Sequence, residues 1–207
     1  MNRLIIIGAS GHGRVVADIA VLNGYKDVVF IDENSELKNC AGFPVVGSEN
    51  VISELEGELF VAIGNNTTRK RIMERHAARS FPTLIHPNAV IANGTVIGDG
   101  TVIMAGVVVN PNVRIGRGCI VNTSSSIDHD CIVGDYVHIA VGARLCGTAK
   151  VGELTWVGAG ATVSNNVSIC GGCMVGAGAV AIRDIDCPGT YIGVPAHKKP
   201  EDRAWAK

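Results

Sequence analysis

With 207 residues, the chain has room for one large domain or two small ones. It is 47% hydrophobic yet only 4% aromatic, with 26 glycines, which points to a core of Val, Ile and Ala cut by many turns and away from an ordinary helical domain. A net charge of -1 with no Lys/Arg run excludes a nucleic-acid footprint, no segment approaches the roughly 18 apolar residues of a membrane span, and the opening "MNRLIIIGASGHG" is too short an apolar run for a signal peptide, so a cytoplasmic protein is expected.

In chain order, "RLIIIGAS" reads as a buried strand and "GHGRVVADIAVLNG" as a helix with Val15, Val16, Ile19 and Leu22 at helical spacing and Gly24 as its stop. "DVVFID" and "ELFVAIG" are further strands, and "NNTTRKRIMERHAAR" is a polar helix opened by Asn or Thr. This alternation predicts a small parallel sheet. The turn "GASGHG", with Gly8, Gly11 and Gly13, stands between first strand and first helix, where backbone N–H groups can hold a phosphate. Its spacing is not the dinucleotide fingerprint, and a purely structural turn is the other reading. Asp32 ends the second strand, and Gly64, Asn65 and Asn66 end a later one, so these residues either line one cleft or cap turns. "FPTLIHPNA" joins this α/β unit to the second half of the chain.

From Ala89 the sequence falls into sixteen hexads without insertion, ending at residue 184. The third position is Ile, Val or Leu in fifteen of them and Ala181 in the last, while the first position is always Ala, Thr, Val, Cys or Ser. The third residue is expected to point inward, the first to be a smaller inward site, and the glycines at positions four and six to serve turns. Neither a helix nor an alternating strand has this period, so each hexad is a short strand plus a turn, and three hexads close one triangular coil stacked on the next. Seven cysteines, an odd number without a secretion signal, argue against disulfides. "CGGC" at 170–173 has no second ligand pair and reads as small-residue packing, and no metal site is expected.

Within the repeat, "SSIDHD" keeps the register with Ile127 in the inward slot and places His129 between Asp128 and Asp130 at a turn. A histidine titrates near neutrality and suits proton transfer, and an adjacent acid can fix its tautomer. Asp128, at the fourth position, reads as structural, and a solvated turn is the alternative for His129. Ser124, Ser125 and Ser126 fit small inward and turn sites better than a nucleophile.

The hexad run resembles the left-handed parallel β-helix of hexapeptide-repeat acyltransferases. The small α/β domain with "GASGHG", followed by that repeat with "HD", resembles the bacterial sugar O- and N-acyltransferases, which include UDP-4-amino-sugar N-acetyltransferases and sialic acid O-acetyltransferases. The resemblance implies a Rossmann-like nucleotide-sugar domain at residues 1–82, a left-handed β-helix acyltransferase domain at 83–184 and a C-terminal tail at 185–207. It implies acetyl-CoA as acetyl donor, a nucleotide-sugar acceptor with UDP as the expected nucleotide, a homotrimer with sites between β-helices, and direct attack without an acyl-enzyme. By the same resemblance Ser10, Gly11, His12 and Gly13 bind phosphates and sugar, and Asp32, Gly64 and Asn65 bind near the nucleoside. His129 is then the general base with Asp130, where the family usually has glutamate, as its orienting acid. His138 is a contact to the acetyl group or pantetheine, and Gly142 a backbone donor for the thioester oxygen. Gly160, Ala177 and Gly178, in the two "VGAG" segments, let pantetheine approach the backbone, and Lys198, beside Lys199 after "YIGVPAH", meets the cofactor's phosphates. O-acetylation of a sialic acid or related sugar, a zinc hydratase and a non-catalytic β-helix scaffold are the competing functions; the hydratase needs three histidine ligands that His129 and His138 do not supply.

Overall fold

The computed structural model describes residues 3–200; the final seven residues of the expected tail lie outside the described residues. The aliphatic strand β1 (Arg3–Ile7) is flanked in parallel by β2 (Asp27–Ile31) and β5 (Glu58–Val61). Sequence pattern did not reveal β3 (Asn39–Cys40) and β4 (Phe43–Gly47), an antiparallel pair that completes the order β3-β4-β2-β1-β5. Helix α1 (Gly11–Leu22) buries Gly13, Val16, Ala17, Ile19 and Ala20. Val15 and Leu22, expected on its apolar stripe, are 42% and 50% exposed. The small residues win that face because they allow close approach: a Cβ on Gly13 would lie 2.1 Å from the Gly8 carbonyl oxygen and 3.1 Å from the Phe30 ring. Helix α2 (Asn66–Arg75) starts at Asn65, whose side-chain oxygen accepts from the Thr68 N–H at 2.9 Å, satisfying one orphan donor of the first turn.

The hexads form two-residue strands at their second and third positions, each paired in parallel with the equivalent strand one coil away, as in Val108–Val109 with Ser126–Ile127. Three sheets of eight, six and five strands make the faces of a triangular prism. Face one begins at Leu84–Ile85, one hexad before the run read from sequence, and passes through His138–Ile139 and Trp156–Val157 to Thr190–Ile192, with His197–Lys198 antiparallel at its end. Face two carries Ser126–Ile127, and face three carries Ile132–Val133. Third and first positions alternate inside one continuous core, for example Ile127, Cys131, Val133, Val137 and Ile139.

The turn glycines divide into two kinds. Sixth positions adopt left-handed backbone, at Gly142 with φ +65° but also at Asn112, Ser124 and Asp130, with φ +63°, +56° and +60°. Fourth-position glycines do not serve φ; they serve coil spacing. A Cβ on Gly98 would lie 2.5 Å from the Arg117 backbone nitrogen in the next coil, and one on Gly152 would lie 2.4 Å from the Gly171 nitrogen.

Face one differs from the other faces because the α/β unit covers it. Its outward second-position residues Val102 and Ile120, together with Met104, share a core with Leu4, Ile6, Ala17 and Phe30. Buried polar side chains help tie the junction together. Arg69 is 1% exposed and donates to the carbonyls of Gly118 at 2.6 Å, Ile63 at 2.8 Å, Tyr136 at 2.9 Å and Gly64 at 3.1 Å, and to Asn66 Oδ1 at 2.8 Å. Asn66 in turn donates to the carbonyls of Leu154 and Thr155, at 3.0 and 3.1 Å.

Candidate active site

The corner between faces two and three presents His129. Its backbone N–H donates to Asp128 Oδ1 at 2.8 Å, and its carbonyl accepts from Thr148 N one coil on at 2.9 Å, so the turn is pinned on both sides. The left-handed backbone of Asp130 brings its carboxylate back to the ring, with Nδ1 to Oδ2 at 2.8 Å and both side chains about half exposed. The side-chain hydrogen bond to His129 holds the Asp130 carboxyl below its ordinary value, so it is an ionised acceptor. Nδ1 therefore carries the proton in the neutral ring, leaving a lone pair on Nε2. The bond to Asp130, followed by the charge of Asp128, raises the His129 pKa above 6.5. Nε2 sits against Gly147 of the next coil, where an added Cβ would come within 2.7 Å of it.

His138 lies elsewhere, on face one under the α/β unit, and is 5% exposed. The Asn122 amide stands 3.2 Å from its Nε2, and the Trp156 ring centroid is 4.0 Å from its own. Burial, then the positive charge of Arg69, pushes its pKa down to about 3. His12, in the first turn of α1, is pushed down to about 4 by burial and then by the same guanidinium. Both rings are neutral near pH 7, and each keeps one buried nitrogen, His12 Nε2 and His138 Nδ1, without a partner among the described residues.

The next corner, between faces one and two, stacks Gly142, Gly160 and Gly178 one coil apart, with Ala177 exposed beside the last. A Cβ on any of the three glycines meets nothing within 4 Å, so this edge is open. The expected free donor at Gly142 is absent, because its N–H already donates to the Thr123 carbonyl at 3.0 Å. The N–H groups of Gly160 and Gly178 are committed in the same way, to Val141 and Ala159, because the sixth position closes the ladder between coils. Lys198 stands exposed in the outermost strand of face one, its Cε against Gly189.

A cleft of about 780 Å³ opens at the carboxyl ends of β1, β2 and β5, where the chain, after adding β2 and β4 on one side of β1, crosses to place β5 on the other. Its walls include Gly8, Ser10, Asp32, Ser48, Gly64, Thr68 and Arg71. Ser10 precedes α1 without a side-chain cap, leaving the first-turn amides of Gly11, His12 and Gly13 as donors. Gly11 is exposed beside that rim, whereas the Gly13 Cα is spent on helix-to-sheet packing. Asp32 lines the cleft but also organises it, accepting from Ala9 N at 2.7 Å and Asn34 N at 2.9 Å. Asn65 faces a separate cleft of about 480 Å³, shared with Gly64, Trp156 and Met174. Sequence reasoning missed Thr68, Arg71 and Arg75. They follow from the helical period of α2 once Asn65 is known as its cap, since positions 68, 71, 72 and 75 share one face. Arg75 is paired with Glu49 at 2.7 Å, and Arg71 is exposed.

Among the described residues no three His, Cys, Asp or Glu side chains are grouped to hold a metal ion, and no helix is long and apolar enough to cross a membrane. Residues 3–76 match the family model of the PglD N-terminal domain, and residues 94–127 match that of the bacterial transferase hexapeptide (six repeats). The chain is 32% identical over 180 residues to GDP-perosamine N-acetyltransferase of Escherichia coli O157:H7, covering 81% of this chain and 80% of that one. It is 35% identical over 108 residues to UDP-N-acetylbacillosamine N-acetyltransferase of Bacillus subtilis, a match spanning 47% of this chain and 49% of the relative. The solved acetyltransferase domain of PglB from Neisseria gonorrhoeae, in complex with acetyl coenzyme A, superposes with a TM-score of 0.92 at 39% identity, covering 96% of this chain and 100% of that one.

Proposed function

The chain belongs to the sugar N-acyltransferases built on a PglD-type domain and a hexapeptide β-helix, and from that premise we propose that it transfers the acetyl group of acetyl-CoA to the amino group of a nucleotide-linked 4-amino-deoxy-sugar. The observation that carries the mechanism is the exposed His129 with Nδ1 bonded to Asp130 and Nε2 free over Gly147. His129 takes a proton from the sugar amine through Nε2 as that nitrogen attacks the thioester carbonyl. The C–N bond forms, the C–S bond breaks, and the imidazolium, steadied by Asp130, returns the proton to the departing thiolate. No acyl-enzyme is needed.

The nucleotide-sugar occupies the cleft at the ends of β1, β2 and β5. Its diphosphate meets the first-turn amides of α1 and the Arg71 guanidinium, and the nucleotide is UDP or GDP, the two named for the relatives. The pantetheine arm runs along the open edge of Gly142, Gly160, Ala177 and Gly178, where missing side chains allow close approach. Lys198 is offered to its phosphates. His129 stands on a different corner of the prism from that edge and from His138. A homotrimer resolves this: the corner bearing His129 in one copy faces the glycine edge of the next, so each site takes residues from two copies.

The test is turnover of acetyl-CoA with GDP-perosamine and with a UDP-linked 4-amino-sugar, followed by free thiol. His129→Ala is expected to lower kcat by about 100-fold or more, the scale of general-base catalysis. The acid limb of kcat/KM is expected to fall above pH 6.5, because Asp130 and Asp128 raise the base. Turnover by His129→Ala within a few-fold of the parent would remove the base assignment, and a monomer by light scattering would remove the two-copy site.

A further inference from the structure

The Asp130 carboxylate has a second partner besides the catalytic ring. Asn112, in the coil below, donates through Nδ2 to Asp130 Oδ1 at 3.0 Å, while Oδ2 accepts from His129 Nδ1 at 2.8 Å. From this chain of contacts we infer that Asn112 is a positioning residue for the reaction, setting the plane of the Asp130 carboxylate so that it holds the His129 ring with Nε2 outward. The inference rests on the reading of His129 as the base.

Three features support it. The terminal torsion of an aspartate is broad and roughly two-fold, so a single contact to Oδ2 leaves the carboxylate plane loose, and a donor on Oδ1 fixes it. Asn112 and Asp130 occupy the same sixth position one coil apart, both with left-handed backbone, φ +63° and +60°. Stacking in register therefore places the amide under the carboxylate. Asn and Asp are also the side chains that tolerate this backbone best, so neither contact is won against strain.

The neighbouring pair does a different job. Asn110 donates to Asp128 Oδ1 at 2.7 Å, and that oxygen also accepts the His129 backbone N–H at 2.8 Å. Asn110 thus steadies the main chain of the turn, whereas Asn112 steadies the ring. The charged groups facing the ring are Asp130 and Asp128 of its own turn. The coil below offers the neutral Asn110, Pro111 and Asn112, and the coil above offers Cys146, Gly147 and Thr148. The ring is therefore aimed by hydrogen bonding through a single acid, and that acid is aimed by a single amide.

Asn112→Gly tests this, because glycine keeps the left-handed backbone and removes only the amide. In protein labelled with ¹⁵N in the histidine rings, the neutral His129 is expected in the Nδ1–H tautomer. Asn112→Gly should shift it measurably toward Nε2–H and move its titration toward the ordinary histidine range. With acetyl-CoA and whichever of GDP-perosamine or the UDP-linked 4-amino-sugar turns over, kcat should fall about three- to tenfold, the value of one ordinary hydrogen bond, since the Asn112–Asp130 contact is exposed to solvent, with KM for both substrates within about twofold. In an Asp130→Gly background the same change should cost less than about twofold, since the amide then has nothing to orient. An unchanged tautomer, or an equal loss in both backgrounds, overturns the inference. The two readings fail separately: His129→Ala with near-parental turnover removes the base itself, whereas an inactive His129→Ala beside an unimpaired Asn112→Gly removes only the role of Asn112.

Discussion

Replacing Arg69 with methionine probes the junction on which the site depends. The guanidinium is 1% exposed, and its partners are four backbone carbonyls and one amide oxygen at 2.6–3.1 Å, with no carboxylate among them. Burial lowers its pKa to about 10, so it is still a cation at neutral pH, held by dipoles. Methionine fills similar length but leaves the acceptors of Gly118 and Tyr136 on the β-helix, and of Ile63, Gly64 and Asn66 on the α/β unit, without a donor. A hydrogen bond to a charged group is worth about 1.5–3 kcal/mol net. Five such bonds would exceed the usual range of single-site losses, but the desolvation of the guanidinium is recovered and some acceptors rehydrate. A buried acceptor left without a donor costs about 1–3 kcal/mol, so two or three that stay dry make the expected destabilisation about 3–5 kcal/mol. For a chain of this size it corresponds to a fall in Tm on the order of 10 °C. Thermal unfolding followed in parallel by far-ultraviolet dichroism and tryptophan fluorescence is the assay. Because Trp156 lies on the covered face, the two probes should separate in Arg69→Met as the units uncouple. Arg69→Lys should fall between parent and methionine, since three donors cannot meet five acceptors. A midpoint for Arg69→Met within 1 °C of the parent, at roughly 0.3–0.5 kcal/mol or less by the same scaling, would refute the reasoning.

Three other outcomes rest on the same geometry. Gly147→Ala puts a Cβ within 2.7 Å of His129 Nε2, and the ring rather than the backbone gives way, so kcat should drop about tenfold or more while Tm stays within a few degrees; unaltered turnover would show that Nε2 does not work from this position. Gly13→Ala meets the Gly8 carbonyl oxygen at 2.1 Å and should destabilise by about 1–3 kcal/mol or more in thermal unfolding, a neutral effect meaning that α1 can move off the sheet freely. His12 and His138 are depressed from 6.5 to about 4 and about 3, so the unfolded chain binds protons first. Their stabilisation is complete above pH 6.5 and is lost as pH falls through 6.5 towards those folded values, on the order of 3 kcal/mol for His12 alone. A urea midpoint that does not change between pH 7 and pH 5 would contradict the neutral, buried rings.

The hydrogen-bonded pair of His129 and Asp130 was legible early because it is local: the two residues are adjacent, and a strict period places them on a turn whose backbone folds the acid onto the ring. The glycines were only half legible. Position six needs left-handed backbone, as expected of a turn, but the fourth-position glycines answer to the next coil, which no reading along one chain segment shows. Arg69 looked like one basic residue among several in a polar helix, and only the apposition of two units makes it a buried tie between them. Arg71 and Thr68 reach the cleft only once α2 has a starting residue, and Gly142 loses its donor only when the ladder is closed.

By itself, then, the sequence determined the repeating element, its inward positions and the histidine–acid pair held at one turn, because each depends on residues a few positions apart. The tertiary structure decided which outward face is covered, which histidines are kept neutral and which backbone donors remain free. Those properties depend on desolvation and on hydrogen-bond partners from distant segments, and such partners exist only when the α/β unit lies on face one and each coil rests on the next.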